Sequence, residues 1–238
     1  MRAEPAEVLV AEAAAARPLL RVRNLGRVAY SEAMRIQDEL LAQRIGSDAA
    51  GGEILLLEHE PVYTLGRGAD LADLMGVPER LGVPVFRVGR GGGATFHGPG
   101  QVVAYPIVRL PGHGRDVRRY IRRLESALVR TCGACGVVAR AIPAQTGVWA
   151  AGGKVAAIGI GVRRGVAFHG VSLNVCNRVD YFEQIVPCRT PGMAVTTLQR
   201  EIGESAGSVV LPAIDVIARA LAAEIASALN MELVEVAR

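Results

Sequence analysis

The sequence predicts an α/β protein, of mixed α+β character, in which a mixed β-sheet is flanked by helices. Apolar strand-like runs are interleaved with helical stretches, but several strands follow one another through turns, which a strictly alternating parallel fold does not allow. The chain has 238 residues, enough for one large domain. We expect a loose N-terminal extension over residues 1–17, followed by a single domain over residues 18–238.

The first half of the chain is expected to contain four strands and two helices. Periodic apolar residues predict a strand at 19–30 and a helix at 33–45, with Ser31 as its expected N-cap. The run EILLLE at 53–58 is typical of a buried strand, and Pro61 follows it. Further elements are expected as strands at 83–88 and 101–108 and as an arginine-rich helix at 116–131.

The second half begins with a succession of strands. After a strand at 137–142, the segments 147–151 and 155–162 are expected to pair as a hairpin, because the AGGK sequence between them is typical of a turn. A strand at 166–175 follows, and the last clear element is a helix at 211–229. No repeat period and no linker divides the chain.

Charge and composition restrict the possible partners. The net charge of +4 is mild and indicates acidic partners only if the cationic residues cluster. No apolar run approaches the roughly 18–20 residues that span a membrane, and the first residues lack the order of a signal peptide. We therefore expect a cytoplasmic protein without a nucleic-acid or membrane partner, and we expect its four cysteines to be free thiols.

Lys154 is the single lysine of the chain, beside 26 arginines. An arginine can serve wherever only a positive charge is needed, but its guanidinium stays protonated at any usable pH. A buried lysine, in contrast, can lose its proton and act as a base. This contrast makes Lys154 a candidate for proton transfer; chance survival of a surface lysine is the alternative.

A glycine-rich loop follows one of the predicted strands. Residues 89–94 (GRGGGA) formally fit the G-x-G-x-x-A fingerprint of dinucleotide-binding proteins, but residues 95–101 (TFHGPGQ) cannot continue as the required helix. Successive glycines let backbone N–H groups approach a ligand closely. The polar side chains of Arg90, Thr95 and His97 favour a binding site over a plain wide turn.

Cys188 is the candidate nucleophile. Its surroundings, VPCRTPG at 186–192, allow no regular element, and a cysteine on a stiff loop can present its sulfur to a pocket. An ordinary cysteine has a pKa of about 8.5, so a nearby ammonium such as that of Lys154 would be needed to stabilise the thiolate. A buried loop cysteine is the alternative interpretation.

Other cysteines and histidines carry weaker signals. Cys132 and Cys135 form a C-x-x-C without a second ligand pair for zinc, and they lie at the end of a helix, so we expect them to pack as small apolar residues. His97 and His169 each occur as Phe-His-Gly, and either could be a base or could fix a loop. Glu58 and Glu60, the neighbours of His59, would point to the opposite face of the strand, so we do not expect these three residues to bind a metal together.

Three groups of segments, in the right order, resemble the signature sequences of the lipoyl (octanoyl) transferase family. They are RGGGATFHGPGQVVAYP at 90–106, TGVW at 146–149 with KVAAIG at 154–159, and RG at 164–165, FHG at 168–170 and LNV at 173–175 with PC at 187–188. The resemblance extends over roughly residues 19–229, nearly the whole chain, and the combination of segments is specific.

The resemblance implies a fold shared with biotin and lipoate protein ligases. It also implies transfer of an octanoyl group from acyl carrier protein to a specific lysine of lipoyl domains. The acceptors would be the lipoyl domains of 2-oxoacid dehydrogenase complexes and the glycine cleavage H protein. No metal and no other cofactor is implied.

Site roles follow from the same resemblance, position by position. Cys188 would carry the acyl thioester, and Lys154 would promote formation of its thiolate. The remaining positions would line the acyl site: Arg90, Gly91, Gly92, Gly93, Ala94, Thr95, Phe96, His97, Ala157, Ile158, Gly159, Gly170, Val171 and Ser172.

The chain departs from the family pattern at two places. The family usually has a small residue after Pro-Cys, where this chain has Arg189 and Thr190. It often has an Asp shortly after Asn-Val, where this chain has Arg178, with Asp180 two positions later. Both departures concern the shape of the site and leave the cysteine and the lysine intact.

Two other functions stay open at this level. An ATP-dependent lipoate or biotin ligase would share the fold but would need no cysteine. A non-catalytic module could bind acyl-carrier or lipoyl domains. The arginines of the helix at 116–131 could attract an acidic carrier protein, but we favour the interpretation that they form a solvated helix face in an arginine-biased sequence.

Overall fold

The computed structural model describes residues 16–47, 49–75, 82–114, 116–186, 192–204 and 210–236. In this part of the chain, a mixed eight-stranded sheet carries helices on its faces, and a three-stranded sheet lies beside it. The predicted fold class, a mixed sheet flanked by helices, is confirmed. No helix of the described ranges has both the length and the apolar character needed to span a membrane.

The strands and helices are numbered in chain order. The strands are β1 (Leu19–Val28), β2 (Gly52–His59), β3 (Val62–Leu65), β4 (Val85–Arg87), β5 (Ala94–His97), β6 (Gln101–Arg109), β7 (Arg140–Ile142), β8 (Gln145–Ala150), β9 (Gly153–Arg163), β10 (Val166–Asn174) and β11 (Glu232–Glu235). The α-helices are α1 (Tyr30–Ile45), α2 (Val117–Ala134), α3 (Leu198–Glu204) and α4 (Ile214–Ala228).

The large sheet has the order β11-β1-β2-β6-β10-β9-β8-β7. Strand β1 pairs in parallel with both β11 and β2, whereas the other neighbours in this sheet are antiparallel. The small sheet has the order β4-β3-β5. Only a short turn separates β5 from β6. The small sheet therefore lies next to Gln101, the first residue of β6.

Both faces of the large sheet are covered, which explains the continuous apolar runs of its central strands. On β2, Ile54 and Leu56 belong to the core formed with α2 and α4, whereas Leu55 and Leu57 belong to the core under α1. Successive side chains of a strand point to opposite faces, so a strand between two helical layers must be apolar at every position.

The structure corrects one predicted helix boundary. Helix α1 begins at Tyr30 after Ala29, not after the expected N-cap Ser31, and no side chain caps it. The ring of Tyr30 is buried against His59 and Phe86, at centroid distances of 4.9 and 5.1 Å. Burial of this aromatic side chain favours an earlier helix start than the local capping preference predicts.

The other predicted helices and strands agree with the structure to within a few residues, and the hairpin is formed by β8 and β9. Cys132 and Cys135 are buried in the core, as expected, and burial raises the pKa of the Cys132 thiol to about 12. The elements β3, β5, α3 and β11 were not predicted from the sequence. The extension expected at 1–17 falls mostly outside the described residues.

Candidate active site

The glycine-rich loop is held by backbone hydrogen bonds on two sides. Gly66 N–H donates to the Gly93 carbonyl at 3.2 Å, and Gly91 N–H donates to the Ile160 carbonyl of β9 at 2.8 Å. A strand, β5, follows the loop from Ala94, so the helix of a dinucleotide site does not form here. The loop therefore joins the small sheet to the large one.

Arg90 is buried inside this loop. Its guanidinium donates to the carbonyl and the hydroxyl oxygens of Thr64, both at 2.8 Å, and to the carbonyl of Gly91 at 3.0 Å. A Cβ at Gly66 would lie 2.8 Å from Arg90 Nη1, and one at Gly159 would lie 2.8 Å from Arg90 Cδ. Glycine is needed at both positions because the arginine side chain occupies the space.

Most of the predicted acyl-site residues line one narrow cavity, which we call the slot. It lies between the glycine-rich loop, β9 and β10. The predicted residues that line it are Arg90, Gly92, Gly93, Ala94, Thr95, His97, Ala157, Ile158, Gly159, Gly170 and Ser172. The structure thus brings together three segments that are far apart in the sequence.

Three of the predicted acyl-site residues lie behind the slot and do not line it. Phe96 stacks on Tyr181, with ring centroids 4.3 Å apart, because it points to the opposite side of β5 from its neighbours. Val171 belongs to the core under α2 and α4. Gly91 contributes backbone bonds to Ile160 and Arg90. Substrate contact by any of the predicted residues stays a prediction.

Sequence reasoning missed two residues at the far end of the slot, which we call the deep end: Tyr30 of α1 and Tyr105 of β6. His169, which the sequence indicates as a candidate, also lines this end. Tyr105 lies opposite Gly170, because the register pairs Val171 with Ala104. The alternation of β6 could have indicated Tyr105, but no local signal in the sequence indicates that Tyr30 reaches this cavity.

Three histidines around the slot are kept neutral by burial. Desolvation lowers the pKa of His59 to about 4, that of His97 to about 3 and that of His169 to about 4. The nearby charge of Arg90 lowers the pKa of His97 and His169 further. Each imidazole is therefore a weak base at neutral pH and can only exchange hydrogen bonds there.

His97 is oriented by a chain of side-chain amides. Gln101 Nε2 donates to Asn174 Oδ1 at 2.9 Å, so Gln101 Oε1 is the acceptor that faces His97 Nδ1 at 2.7 Å. This network assigns the proton of the neutral ring to Nδ1 and leaves Nε2 as an acceptor. Asn174 Nδ2 continues the chain by donating to the Thr196 carbonyl at 3.1 Å.

At the opposite end of the slot, which we call the mouth, lies the amine of Lys154. The side chain is only 6% exposed, and its Nζ lies 5.0 Å from the centroid of the Trp149 ring. Gly147 makes room for it, since a Cβ there would lie 2.6 Å from Lys154 Cε. The cavity around Lys154 shares three lining residues with the slot: Thr95, Ala157 and Ser172.

Cys188 lies outside the described residues, but the structure defines both ends of its segment. Before the segment, Val186 N–H donates to the Asp73 carbonyl at 2.7 Å. After it, the Ala194 carbonyl accepts from Lys154 N–H at 2.9 Å. A cavity of about 570 Å³ lined by Val186 and Ala194 shares Phe182, Met193 and Val195 with the cavity around Lys154. The described chain that follows the Cys188 segment therefore lies beside Lys154, at the mouth.

The slot itself is narrow. Its free volume of about 40 Å³ would hold about three water molecules. A roomier cavity of about 460 Å³ lies at the N-terminal end of α2, and none of the predicted site residues lines it.

One departure from the family pattern, Arg178, lies on the surface. Arg178 forms a bidentate ion pair with Asp180, and its guanidinium lies 5.0 Å from the centroid of the Tyr181 ring. Tyr181 in turn packs on Phe96 of β5. Arg178 therefore packs on the outer side of the stacked Tyr181 and Phe96 rings, which lie behind the slot. The other departures, Arg189 and Thr190, lie outside the described residues.

Comparison with known proteins gives consistent matches. Residues 29–225 match the family model described as the lipoyl protein ligase A/B catalytic domain. The octanoyltransferase of Citrifermentans bemidjiense is 47% identical over 184 residues, which cover 76% of this chain and 86% of that protein. The octanoyltransferase of Geobacter sulfurreducens is 45% identical over 186 residues, which cover 78% of this chain and 77% of that protein.

A solved structure supports the fold. The bipartite lipoate protein ligase of Thermoplasma acidophilum, studied with its E2 lipoyl domain, superposes with a TM-score of 0.68. The match covers 93% of this chain and 87% of that one at 16% sequence identity. At this identity, the similarity concerns the fold alone, and it agrees with the ligase-like architecture expected from the sequence.

Proposed function

The chain belongs to the lipoyl protein ligase A/B catalytic-domain family, and from this premise we propose that it is an octanoyltransferase of protein lipoylation. In this proposal, the donor is octanoyl-acyl carrier protein, and the acceptor is a lysine of a lipoyl domain. The lipoyl domains of 2-oxoacid dehydrogenase complexes and the glycine cleavage H protein are the proposed acceptors, in the cytoplasm. The relatives named octanoyltransferase support this assignment.

The observation that carries the chemistry is the position of Lys154. Its buried amine lies at the mouth of the slot, and the slot is lined by most of the residues that the family resemblance assigns to acyl binding. Ala194, which follows Cys188 by six residues in the sequence, is hydrogen-bonded to the backbone of Lys154. We propose that the Cys188 sulfur and the Lys154 amine act on one carbonyl group at this end of the slot.

The proposed reaction has two steps, both at this mouth. The Cys188 thiolate attacks the carbonyl carbon of the donor thioester, a new C–S bond forms, and the bond to the carrier sulfur breaks. The leaving thiolate takes a proton from the Lys154 ammonium. In the second step, the acceptor amine attacks the Cys188 thioester and loses a proton to neutral Lys154, which regenerates the thiolate and the ammonium.

The nearby histidines are poorly suited to the proton transfers of this cycle. The pKa values of His97 and His169 lie near 3 and 4, too low for efficient proton transfer at neutral pH. Their neutral rings can orient groups in the slot without a charge. Transfer from a thioester to an amine is favourable, so the cycle needs no ATP.

A single incubation tests the proposal. The protein is mixed with octanoyl-acyl carrier protein in the absence of ATP, and intact mass and peptide mapping follow the acyl group. We expect one octanoyl adduct on Cys188, which disappears when an apo-lipoyl domain is added and is converted to octanoyl-lysine. Cys188→Ala should abolish the adduct.

The chain offers a matched control thiol in Cys176, which is exposed and free. Cys176→Ala should retain the adduct and the transfer. Product formation only with free octanoate and ATP would identify an ATP-dependent ligase instead. Binding of either carrier without any covalent product would identify a non-catalytic module.

A further inference from the structure

We propose that Thr196 and Glu201 are positioning residues that hold the Lys154 hairpin against the segment following Cys188. This inference rests on the proposed function, because it assigns the alignment of the two reacting groups to a specific set of hydrogen bonds. The set, which we call the hairpin clamp, comprises Gly152, Lys154, Ala194, Thr196 and Glu201.

The backbone of Lys154 is bonded on both sides to one distant segment. Its N–H donates to the Ala194 carbonyl at 2.9 Å, and its carbonyl accepts from Thr196 N–H at 3.1 Å. Lys154 and Val195 thereby form an isolated parallel bridge. This bridge fixes Lys154 relative to Ala194, Val195 and Thr196, which follow Cys188 by six to eight residues in the sequence.

A buried carboxylate completes the clamp. Glu201 Oε1 accepts from Gly152 N–H at 3.0 Å and from the Thr196 hydroxyl at 2.6 Å. Glu201 is 7% exposed and Thr196 is 3% exposed, so these bonds are made where water cannot easily replace them. The carboxylate therefore joins the hairpin turn to the segment that pairs with Lys154.

The glycines of the hairpin turn are explained by this close approach. A Cβ at Gly152 would lie 2.6 Å from Glu201 Oε1, and a Cβ at Gly153 would lie 2.5 Å from the Ala194 carbonyl oxygen. Gly153 also has φ of +134°, a conformation that residues with a side chain rarely adopt. The Gly-Gly pair before the lysine is thus required by contact with the clamp as well as by the turn.

The clamp is also connected to the sheet and to the slot. The Thr196 carbonyl accepts from Asn174 Nδ2, at the end of the amide chain that orients His97. Helix α3, which carries Glu201, is attached to the end of β10 by the Gln199 N–H to Val175 carbonyl bond at 2.9 Å. Thr196 therefore contacts β9 through Lys154, β10 through Asn174 and α3 through Glu201.

Two pairs of variants test the inference. Thr196→Val keeps the shape of the side chain but removes the donor to Glu201, whereas Thr196→Ser keeps the hydroxyl. Glu201→Ala removes the acceptor oxygen, whereas Glu201→Gln retains an oxygen that can accept from both donors. We expect Thr196→Val and Glu201→Ala to reduce octanoyl transfer at least about tenfold, and Thr196→Ser and Glu201→Gln to restore most of it.

The decisive readout is the pH dependence of Cys188 alkylation, mapped by peptide mass with Cys176 as an internal reference thiol. If Lys154 moves away from the Cys188 segment, the thiolate loses its ammonium partner. The midpoint of alkylation should then shift upward in Thr196→Val and Glu201→Ala, with that of Cys176 unchanged. A stability loss alone would leave the midpoint in the folded protein where it was.

Thr131→Val is the matched control. Thr131 is also fully buried, and its hydroxyl donates to a backbone carbonyl, that of Ala127, at 2.9 Å, but it lies in α2 away from the mouth. We expect a comparable loss of thermal stability without a change in the alkylation midpoint or the transfer rate.

An unchanged midpoint and transfer rate in both Thr196→Val and Glu201→Ala would overturn the inference. Alkylation needs no acyl donor, so it reports on the clamp even if no octanoyl group is transferred. Failure of the wild-type protein to accept an octanoyl group would instead overturn the proposed function, and the two failures are thus distinguishable.

Discussion

The residues at the two ends of the slot are held in place by different kinds of hydrogen bond. The deep end is built from side chains that hydrogen-bond within the folded sheet and α1, such as His59 with Tyr105 at 2.9 Å and His169 with Gln37. The mouth is built from backbone bonds between Lys154 and a segment about 40 residues later in the sequence. We infer from this contrast that acyl binding and proton transfer depend on separate parts of the structure, which can be perturbed separately.

The largest expected effect is at the mouth, from Lys154→Arg. The guanidinium keeps the charge but cannot release its proton near neutral pH, so both proton transfers of the proposed cycle fail. We expect the transfer rate to fall by about 10³-fold or more, with little change in stability. Full activity in this variant, measured by octanoyl-lysine formation, would exclude proton transfer by Lys154.

The next largest effect concerns the three buried histidines around the slot and depends on pH. The pKa values of His59, His97 and His169 are lowered in the folded state to about 4, 3 and 4, whereas the unfolded histidines titrate near 6.5. Between pH 6.5 and the folded values, the unfolded chain therefore binds more protons. The stabilisation is complete above pH 6.5 and is lost as the pH falls.

For three such histidines, the free energy of unfolding should decrease by about 3 kcal/mol between pH 6.5 and 5.5. Urea titrations at these two pH values measure the change, and the interval lies above the usual pKa range of carboxylates. A free energy of unfolding that stays constant over this interval would mean that the histidines are not held neutral by burial.

Gly147→Ala should disturb the mouth without changing the slot. The new Cβ would lie 2.6 Å from Lys154 Cε, and Gly147 has φ of +130°, which disfavours any side chain. We expect octanoyl transfer to fall about 30-fold, with acyl-chain preference unchanged. Gly26→Ala is the control for backbone strain, since Gly26 has φ of +64° and nothing within 4 Å of a built Cβ; it should transfer normally.

Gly159→Ala should disturb the slot without changing the mouth. The added methyl group would lie 2.8 Å from Arg90 Cδ, and Gly159 lies two residues deeper than Ala157, roughly 7 Å along the strand. An extended octanoyl chain of about 9 Å reaches this point, but a butanoyl chain does not. We expect kcat/KM to fall about tenfold for octanoyl donor and to change little for butanoyl donor; equal losses for both would contradict the separation of the two ends.

The parts of the fold that the sequence predicts are those with strong local periodicity. The buried run of β2 and the alternating run of β10 are visible without tertiary information, as is the hairpin around Lys154. Strand β3 has four residues, and β5 follows a glycine loop, so neither shows a pattern long enough to recognise. Strand β11 pairs in parallel with β1 from the other end of the chain, and no local signal indicates such a pairing.

The residues of the site also fall into a group that the sequence indicates and a group that it does not. The segments with distinctive composition, the glycine loop and the glycines before Lys154, indicate a site from the order of their residues alone. The supporting groups Tyr30, Gln37 and Glu201 were not predicted, because ordinary helix residues acquire their role only through contacts distant in sequence. Once β5 is known to be a strand, the alternation of its side chains shows that Phe96 points away from the side of Thr95 and His97, which face the slot.

Strand β11 also affects how the protein can be made. Residues 232–235 cover the outer edge of β1, a strand that begins much earlier in the sequence, at Leu19. That edge remains open until residues 232–235 have been synthesised, and an open edge is a template for pairing with other chains. Removal of these C-terminal residues would therefore be expected to lower the yield of monomeric protein even though they lie far from the mouth.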